Sequence, residues 1–594
     1  MTNEPANDLT IEQRAKRKQR IKARRKLRMR RRIIFALCII LIILIPVCAM
    51  YAYLFMPNSK IVPFYDYYTE LDRGRIHLVL ENTMLLLQDP PLLINGGLYL
   101  PVGFVKEYMD SYIFWDHRAD RLTITTDTEV MHITAGNTAC FINHIPARLI
   151  RAVQNIGGTA YIPDILLMER YNVMINFNAG LNIAVVEYTN KPRRIGAITA
   201  NNARVRYKPD IKSPVIEEAL QGAAFVMFEH SGDFMQVRTT QGVIGYIRRN
   251  EISHSRMEEA TPHPAPVRWE PDIKEKIVLG WDLVTNAAAA ASPNRRVANE
   301  GVNVISPTWF SFEDENTDGT IISLANRDFV DWAHENGIYV WALISDNFNT
   351  RVSHAVLANT HIREYVIEQL VHFVDEYNLD GINIDYEAVL PADAPYFIQF
   401  LRELAPVLRK RQAVLSVDLF VPTYTRYYNR TEIAKIVDYV AVMTYDEHTS
   451  VSPNSGPVAS LPFVDRGIRE TLNEVPAEMV LMGLPFYNRV WREETVDGNL
   501  TISLRNYAMG YAKQLFDEQN VEFIWLDTYG YYYGEYTVIE NDNEVTYKVW
   551  LEDARSIEEK MKIYQQYGLA GVACWRRGLE SDGIWELIAG HINH

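Results

Sequence analysis

A chain of 594 residues that is 48% hydrophobic, 23% charged and 11% aromatic has the make-up of folded protein, and at roughly 150 residues per domain it holds about four units. That composition excludes a wholly disordered, collagen-like or disulfide-scaffold chain. The net charge of −14 is unevenly placed: residues 14–32 hold 13 Lys and Arg against Glu4, Asp8 and Glu12, a local balance of +10 that leaves −24 on the rest. A body so acidic repels phosphate backbones, so no nucleic-acid partner is expected.

Residues 1–32 form a basic tail, and residues 33–56 are 24 uncharged, mostly apolar positions, enough for a helix across a hydrocarbon core of about 30 Å. The reading is an uncleaved transmembrane anchor. A cleaved signal peptide competes with it, but such a peptide has an apolar region of about 7–15 residues and a small-residue cleavage site. Ile45-Pro46-Val47-Cys48 has bulky Val47 where a lipoprotein site has a small residue. Positive charge before the span keeps the N-terminus cytoplasmic and predicts an extracytoplasmic C-terminal body at the cell membrane. Cys38 and Cys48 lie in the span and Cys140 and Cys574 are far apart. Neither a disulfide framework nor a zinc site is expected, and the reading calls for no cofactor and no metal.

Residues 61–190 carry a weak internal repeat. Gly96-Gly97-Leu98-Tyr99-Leu100-Pro101 and Gly157-Gly158-Thr159-Ala160-Tyr161-Ile162-Pro163 each precede a short amphipathic stretch and then a strand, Arg121-Leu122-Thr123-Ile124 or Leu181-Asn182-Ile183-Ala184-Val185. This predicts a small α+β module. It resembles the stalk-like N-terminal domain of copper amine oxidases, although nothing in it binds copper by itself; a spacer, a wall contact and plain scaffold all remain open. Residues 194–255 change to short alternating strands, which predicts a small β-barrel. Asp233-Phe234-Met235-Gln236-Val237 followed by Gly242-Val243-Ile244-Gly245-Tyr246-Ile247 is similar to bacterial Src-homology-3-like (SH3-like) domains, which commonly contact peptidoglycan. Phe234 and Tyr246 serve equally well as core aromatics. Residues 256–273 hold Pro262, Pro264, Pro266 and Pro271 and read as a stiff linker.

From 274 to 594 eight apolar runs recur, at 276–283, 302–310, 338–345, 379–386, 413–421, 437–445, 479–486 and 571–576. Most precede helical-period segments, as at 362–377, where Val366, Leu370, Phe373 and Val374 share a face. Alternating strands and helices predict an α/β fold, a (β/α)8 TIM barrel. The seventh gap is too long for one crossover and contains a hairpin at 534–539 and 545–551, so an α+β insertion is expected at about 490–555.

The fourth run ends Asp380-Gly381-Ile382-Asn383-Ile384-Asp385-Tyr386-Glu387. Alternation puts Asn383, Asp385 and Glu387 on one face, about 6.6 Å apart in succession, and Ile382 and Ile384 outward. Polar groups in a row inside a barrel are costly unless paired or functional. This D-G-x-x-x-D-x-E run resembles the signature of family 18 glycoside hydrolases. Met443-Thr444-Tyr445-Asp446, Gly483-Leu484-Pro485-Phe486-Tyr487 and Cys574-Trp575 extend the likeness, and Val549-Trp550-Leu551-Glu552-Asp553-Ala554-Arg555-Ser556 is like the spore-cortex, peptidoglycan-directed branch.

The resemblance implies a β-N-acetylglucosaminidase whose substrate supplies its own acetamido oxygen as nucleophile, a known exception to the two-carboxylate scheme. It implies Glu387 as general acid and base, Asp385 as the group that orients the acetamide and Tyr445 as its hydrogen-bond donor. It also implies Trp575 as the subsite floor, with Asn383 and Asp380 in support. Met443, Asp446 and Tyr487 are further substrate contacts, and Trp309 is a candidate contact from its place at the end of the second strand. Two departures stand out. Asn383 replaces an aspartate of the family's chitinases, removing an inner carboxylate that shares a proton. Ser345-Asp346-Asn347-Phe348 replaces their S-x-G-G run, which argues against chitin.

Asp314-Glu315-Asn316-Thr317-Asp318-Gly319 reads as a turn, since a calcium loop needs Glu where Ala325 stands. Tyr529, Tyr531, Tyr532 and Tyr533 suit either sugar stacking or packing of the insertion. Peptidoglycan or another N-acetylglucosamine-containing glycan is the expected partner. A non-catalytic wall-binding protein, and an enzyme acting on chitin or N-glycans, are the alternatives.

Overall fold

The computed structural model describes residues 11–592 except 202, 254, 265, 266, 268, 314–316, 497 and 498. Pro266 of the linker and much of the calcium-like run therefore lie outside the described residues. The first described element is a helix, Ile11–Phe55. It joins the basic tail and the apolar segment in one rod, with no buried residue and long and apolar enough to cross a membrane.

The chain forms two compact units, one of residues up to 100 with 167–263, the other of 101–166 with everything from 264 on. The segment expected as a single module at 61–190 is thus divided between them. Its internal repeat is visible in the order of elements: Gly97–Pro101 leads into the helix Val102–Tyr108, and Thr159–Pro163 leads into the helix Asp164–Arg170. The turns before those strands use Gly96 and Gly157 at φ 77° and 62°, backbone that glycine adopts without a Cβ penalty.

Within the first unit, His77–Leu80 pairs in parallel with Ile183–Tyr188. A seven-stranded antiparallel sheet runs from Arg193–Ala197 to Arg256–Glu258, the last strand starting where a linker was expected. Phe234 is buried in it, and Tyr246 is half-buried.

The second unit is organised by eight parallel strands that close on themselves: β1 (Ile277–Asp282), β2 (Val304–Pro307), β3 (Tyr339–Ser345), β4 (Gly381–Asp385), β5 (Val414–Phe420), β6 (Tyr439–Met443), β7 (Val480–Pro485) and β8 (Gly571–Trp575). The circle closes where β1 pairs with both β2 and β8. All eight expected runs are present, because strands covered by helices outside and side chains inside read as continuous apolar stretches. The second run stops early: the chain breaks after Pro307 and resumes as Phe310–Phe312.

Gly381 opens β4 because an added Cβ would sit 2.8 Å from both Trp341 Cδ1 and the Val414 carbonyl oxygen. The helix before it, α1 (Thr360–Tyr377), starts on an Asn359 cap and ends at Asn378 with φ 56°. It buries Val366, Leu370 and Val374 as the periodicity requires. Next comes α2 (Ala394–Arg409), tied to α1 by the Arg363 and Glu403 side chains, paired at 3.0 Å through two bonds and wholly buried.

A five-stranded meander from Phe114–Asp116 to Ile145–Arg148 packs on the outside of these two helices. There the Arg121 guanidinium grips Glu364 at 3.0 and 2.6 Å, and Thr360 donates to Asp116 at 2.6 Å.

Between β7 and β8 a five-stranded sheet and the helix Met509–Asp517 form the insertion. It begins at Tyr487, directly after β7. Buried Glu552 fastens it to the barrel, accepting from Lys560 (2.7 Å), Ser556 (2.6 Å) and Tyr531 (2.7 Å). Tyr531 is therefore a core residue, whereas Tyr529 is exposed.

Breaking the Arg363–Glu403 pair tests this framework. Glu403→Leu strands a buried guanidinium and is expected to cost about 3–5 kcal/mol, while Arg363→Met with Glu403→Leu recovers most of it. Urea unfolding of both variants checks this, and equal losses would contradict it.

Candidate active site

The mouth of the barrel at the strand C-termini opens into a cavity of about 440 Å³. Asp385, Glu387, Asp418, Tyr445, Asp446, Tyr487, Met443 and Trp575 all line it. Seven of these eight are residues singled out from the sequence, delivered by β4, β6, β7 and β8. Asp418 is the eighth, from β5.

Below Asp385 on the same inward row lies Asn383, fully buried. Its amide joins two donors to two acceptors. The carbonyl oxygen accepts from Trp281 Nε1 at 2.9 Å and Ser306 Oγ at 3.1 Å, and the NH₂ donates to Asp418 Oδ1 at 2.8 Å and Ser416 Oγ at 3.0 Å. An aspartate there would face Asp418 with no proton to give unless it took one up. The asparagine thus fits a site whose extra carboxyl comes from β5, and the inner carboxylate missing at position 383 has a counterpart in Asp418.

The carboxyls are packed close in low dielectric, and no lysine or arginine lines the cavity among the described residues. Burial first, then the neighbouring Asp346, pushes Asp385 up to about 7. Burial, then Asp385, Asp346, Asp418 and Asp446, pushes Glu387 up to about 9. Burial and Asp385 also raise Asp418, opposed by hydrogen bonds from Asn383 and Trp281. Glu387 consequently keeps its proton at neutral pH, the state a general acid needs.

Burial raises Tyr445 as well, so its hydroxyl remains a donor. Tyr487 donates to Asp446, which also receives Arg489 at 2.6 Å. Trp575 stands edge-on to Trp281, with ring centroids 5.9 Å apart.

Two sequence candidates fall elsewhere. Asp380 sits at the opposite, N-terminal end of β4, where its Oδ2 accepts from His334 Nε2 at 2.8 Å and the Val340 amide at 2.7 Å. It is a strand-end clamp. Trp309, 1% exposed, turns into the core edge-on against Phe329 and does not line the cavity. The break after Pro307 takes it off the inward row.

Sequence reasoning missed Asp418 and Asp346. Asp418 follows Ser416 at an interval of two in β5, the same alternation that exposed the row in β4.

Residues 310–580 match the family model described as glycosyl hydrolases family 18, and residues 79–186 match that of the copper amine oxidase N-terminal domain. The chain is 27% identical over 300 residues to Uncharacterized glycosylase YvbX of Bacillus subtilis, covering 48% of this chain and 84% of the relative. It is 26% identical over 253 residues to the cortical fragment-lytic enzyme of B. subtilis, covering 41% of this chain and 57% of that enzyme. The chain thus spans little more than half of the latter's length. The spore cortex-lytic enzyme SleL of Bacillus megaterium superposes at TM-score 0.46 and 21% identity, over 57% of this chain and 77% of that one. The barrel is a glycosidase domain that is similar, over residues 310–580, to family 18 glycosyl hydrolases.

Removing a negative neighbour lowers the proton affinity of Glu387, so the acid form is lost sooner as pH rises. Asp418→Asn, which retains an acceptor for Asn383, is expected to move the alkaline limb of kcat/KM to lower pH. A pH–rate profile with an unmoved limb would count against the carboxyl cluster as the cause.

Proposed function

We propose that the chain is a membrane-anchored glycosidase that cleaves β-linked N-acetylglucosamine bonds of peptidoglycan outside the cell, with retention and with the substrate's acetamide as nucleophile. The observation that carries this reading is Glu387 two residues from Asp385 on one inward row, with Tyr445 and Trp575 on the same cavity, where burial and neighbouring carboxyls raise Glu387. A protein nucleophile would stand about 5–5.5 Å from the acid, on the far side of the sugar. Asp385 leaves the same strand as Glu387 and suits a supporting role.

In this mechanism Glu387 gives its proton to the glycosidic oxygen as the acetamido oxygen attacks C1, and the leaving sugar departs with that proton. Asp385, as carboxylate, accepts the acetamido N–H and offsets the positive charge of the oxazolinium ion. The Tyr445 hydroxyl donates to the acetamido oxygen, and Trp575 floors the sugar. Glu387, now a carboxylate, takes a proton from water, which opens the ring from the face the leaving group vacated. Asn383 fixes Asp418 in the floor below Asp385, while Met443, Asp446 and Tyr487 shape the substrate wall.

The helix Ile11–Phe55 serves as the anchor, with its basic half in the cytoplasm. The N-terminal modules, including the SH3-like segment, hold the barrel against the wall. The relatives named cortical fragment-lytic enzymes support a wall glycan over chitin.

The test uses the full chain in detergent, with its Glu387→Gln variant, on purified peptidoglycan, N-deacetylated peptidoglycan and chito-oligosaccharides, with products read by mass spectrometry. The expected result is N-acetylglucosamine reducing ends from intact peptidoglycan only, reduced about 10²–10⁴-fold by Glu387→Gln. Equal cleavage after deacetylation would overturn acetamide participation. Cleavage of chito-oligosaccharides alone would move the substrate to chitin, and binding without cleavage would favour a wall-binding protein.

A further inference from the structure

The loop after β3, where chitinases of the resembled family carry glycines, holds two consecutive residues in the left-handed region, Asn347 at φ 53° and Phe348 at φ 56°. Neither is glycine, and such backbone persists only where its surroundings fix it. Asn347 is fixed by its side chain, which donates to the Phe312 carbonyl at 2.6 Å, and by its amide, which donates to Ser345 Oγ at 3.1 Å. Phe348 is fixed by its amide, which donates to Asp346 Oδ1 at 3.1 Å. The result is an aromatic ring on the cavity wall that is 70% exposed. A large apolar side chain left open at the mouth of a sugar-cleaving cavity has the chemistry of a stacking platform for a pyranose face.

Asp346 itself is 0% exposed and does not line the cavity. Its carboxylate accepts four hydrogen bonds, two on each oxygen. Oδ1 takes the amides of Phe348 and Glu387 (3.3 Å), and Oδ2 takes the amide of Ala388 (2.8 Å) and the Ser353 hydroxyl (2.7 Å). One buried group therefore holds the backbone at the acid and the backbone at the exposed ring together. We infer that Asp346 is a positioning residue that sets Glu387 and Phe348 in fixed relation, and that Phe348 is a sugar-contacting residue of the cleft.

Only a carboxylate fits this place. The amide of an asparagine would turn its NH₂ toward at least one of the three main-chain N–H groups, leaving a buried donor facing a donor. The charge matters as well, since Asp346 is one of the negative groups facing Glu387, with Asp385, Asp418 and Asp446.

The inference rests on Glu387 being the acid, so the experiment separates the two. Full chain in detergent is assayed on soluble N-acetylated glycan strands prepared from peptidoglycan. Glu387→Gln must abolish turnover; if it does not, the acid assignment falls and takes this inference with it. With that control met, Asp346→Asn is expected to lower kcat about 10–10²-fold, to raise KM by no more than Phe348→Ala does, and to move the alkaline limb to lower pH. Phe348→Ala is expected to raise KM roughly 2–10-fold and leave the limb in place.

Ser353→Ala removes one bond and keeps the charge, so it should lower kcat less and leave the limb unmoved. This milder change tests the positioning role even where Asp346→Asn does not fold. Wild-type kcat and an unmoved limb in Asp346→Asn would overturn the positioning role, as would a Ser353→Ala variant indistinguishable from wild type. An unchanged KM in Phe348→Ala would overturn the platform.

Discussion

Asp385, Glu387 and Asp418, with Asp346 buried behind them, are crowded at one end of a barrel, on a cavity that no cation lines among the described residues, and the rest of the site follows from that. Like charges in low dielectric cannot all ionise, so the group keeps protons that free carboxyls would have lost. What differentiates the members is hydrogen bonding. Asp346 has four donors and Asp418 has Asn383, whereas Glu387 faces the cavity with the largest excess of negative neighbours. Glu387 becomes a proton store, and burial raises Asp346, Asp385 and Asp418 along with it.

The fold makes such crowding affordable. Strands buried on both faces, with Trp281, Trp341 and Tyr386 among the largest fully buried side chains, give the site rigid walls. Asn383 converts what would be repulsion in the floor into a relay from Trp281 and Ser306 to Asp418 and Ser416. Outside the barrel, the buried Arg363–Glu403 pair and the docked meander stiffen α1 and α2, the helices that precede and follow β4. The insertion is secured in the same manner through Glu552.

The barrel was legible because each strand is a compact apolar run, and the β4 row because polar residues at an interval of two cannot hide among Ile382 and Ile384. Tyr445, Asp446, Tyr487 and Trp575 came from motifs at strand ends, and all four reached the cavity. Asp418 escaped notice because no motif surrounds it, although Ser416 and Asp418 alternate with Val417 and Leu419 just as the β4 row does. Asp346 read as a departure from a glycine pattern, since its role depends on the amides of Glu387 and Ala388, 41 and 42 residues away. Trp309 and Asp380 lie outside the cavity for geometric reasons: the strand ends at Pro307, two residues before Trp309, and Asp380 stands at the N-terminal end of β4.

The protonation state of Glu387 is the central claim, and it is most directly measured by infrared difference spectroscopy of the wild type against Glu387→Gln across a pH titration. The account predicts a protonated carboxyl that persists at neutral pH and is lost near pH 9. A Glu387 carboxyl already ionised at pH 6, within the reach of an ordinary glutamate, would contradict it.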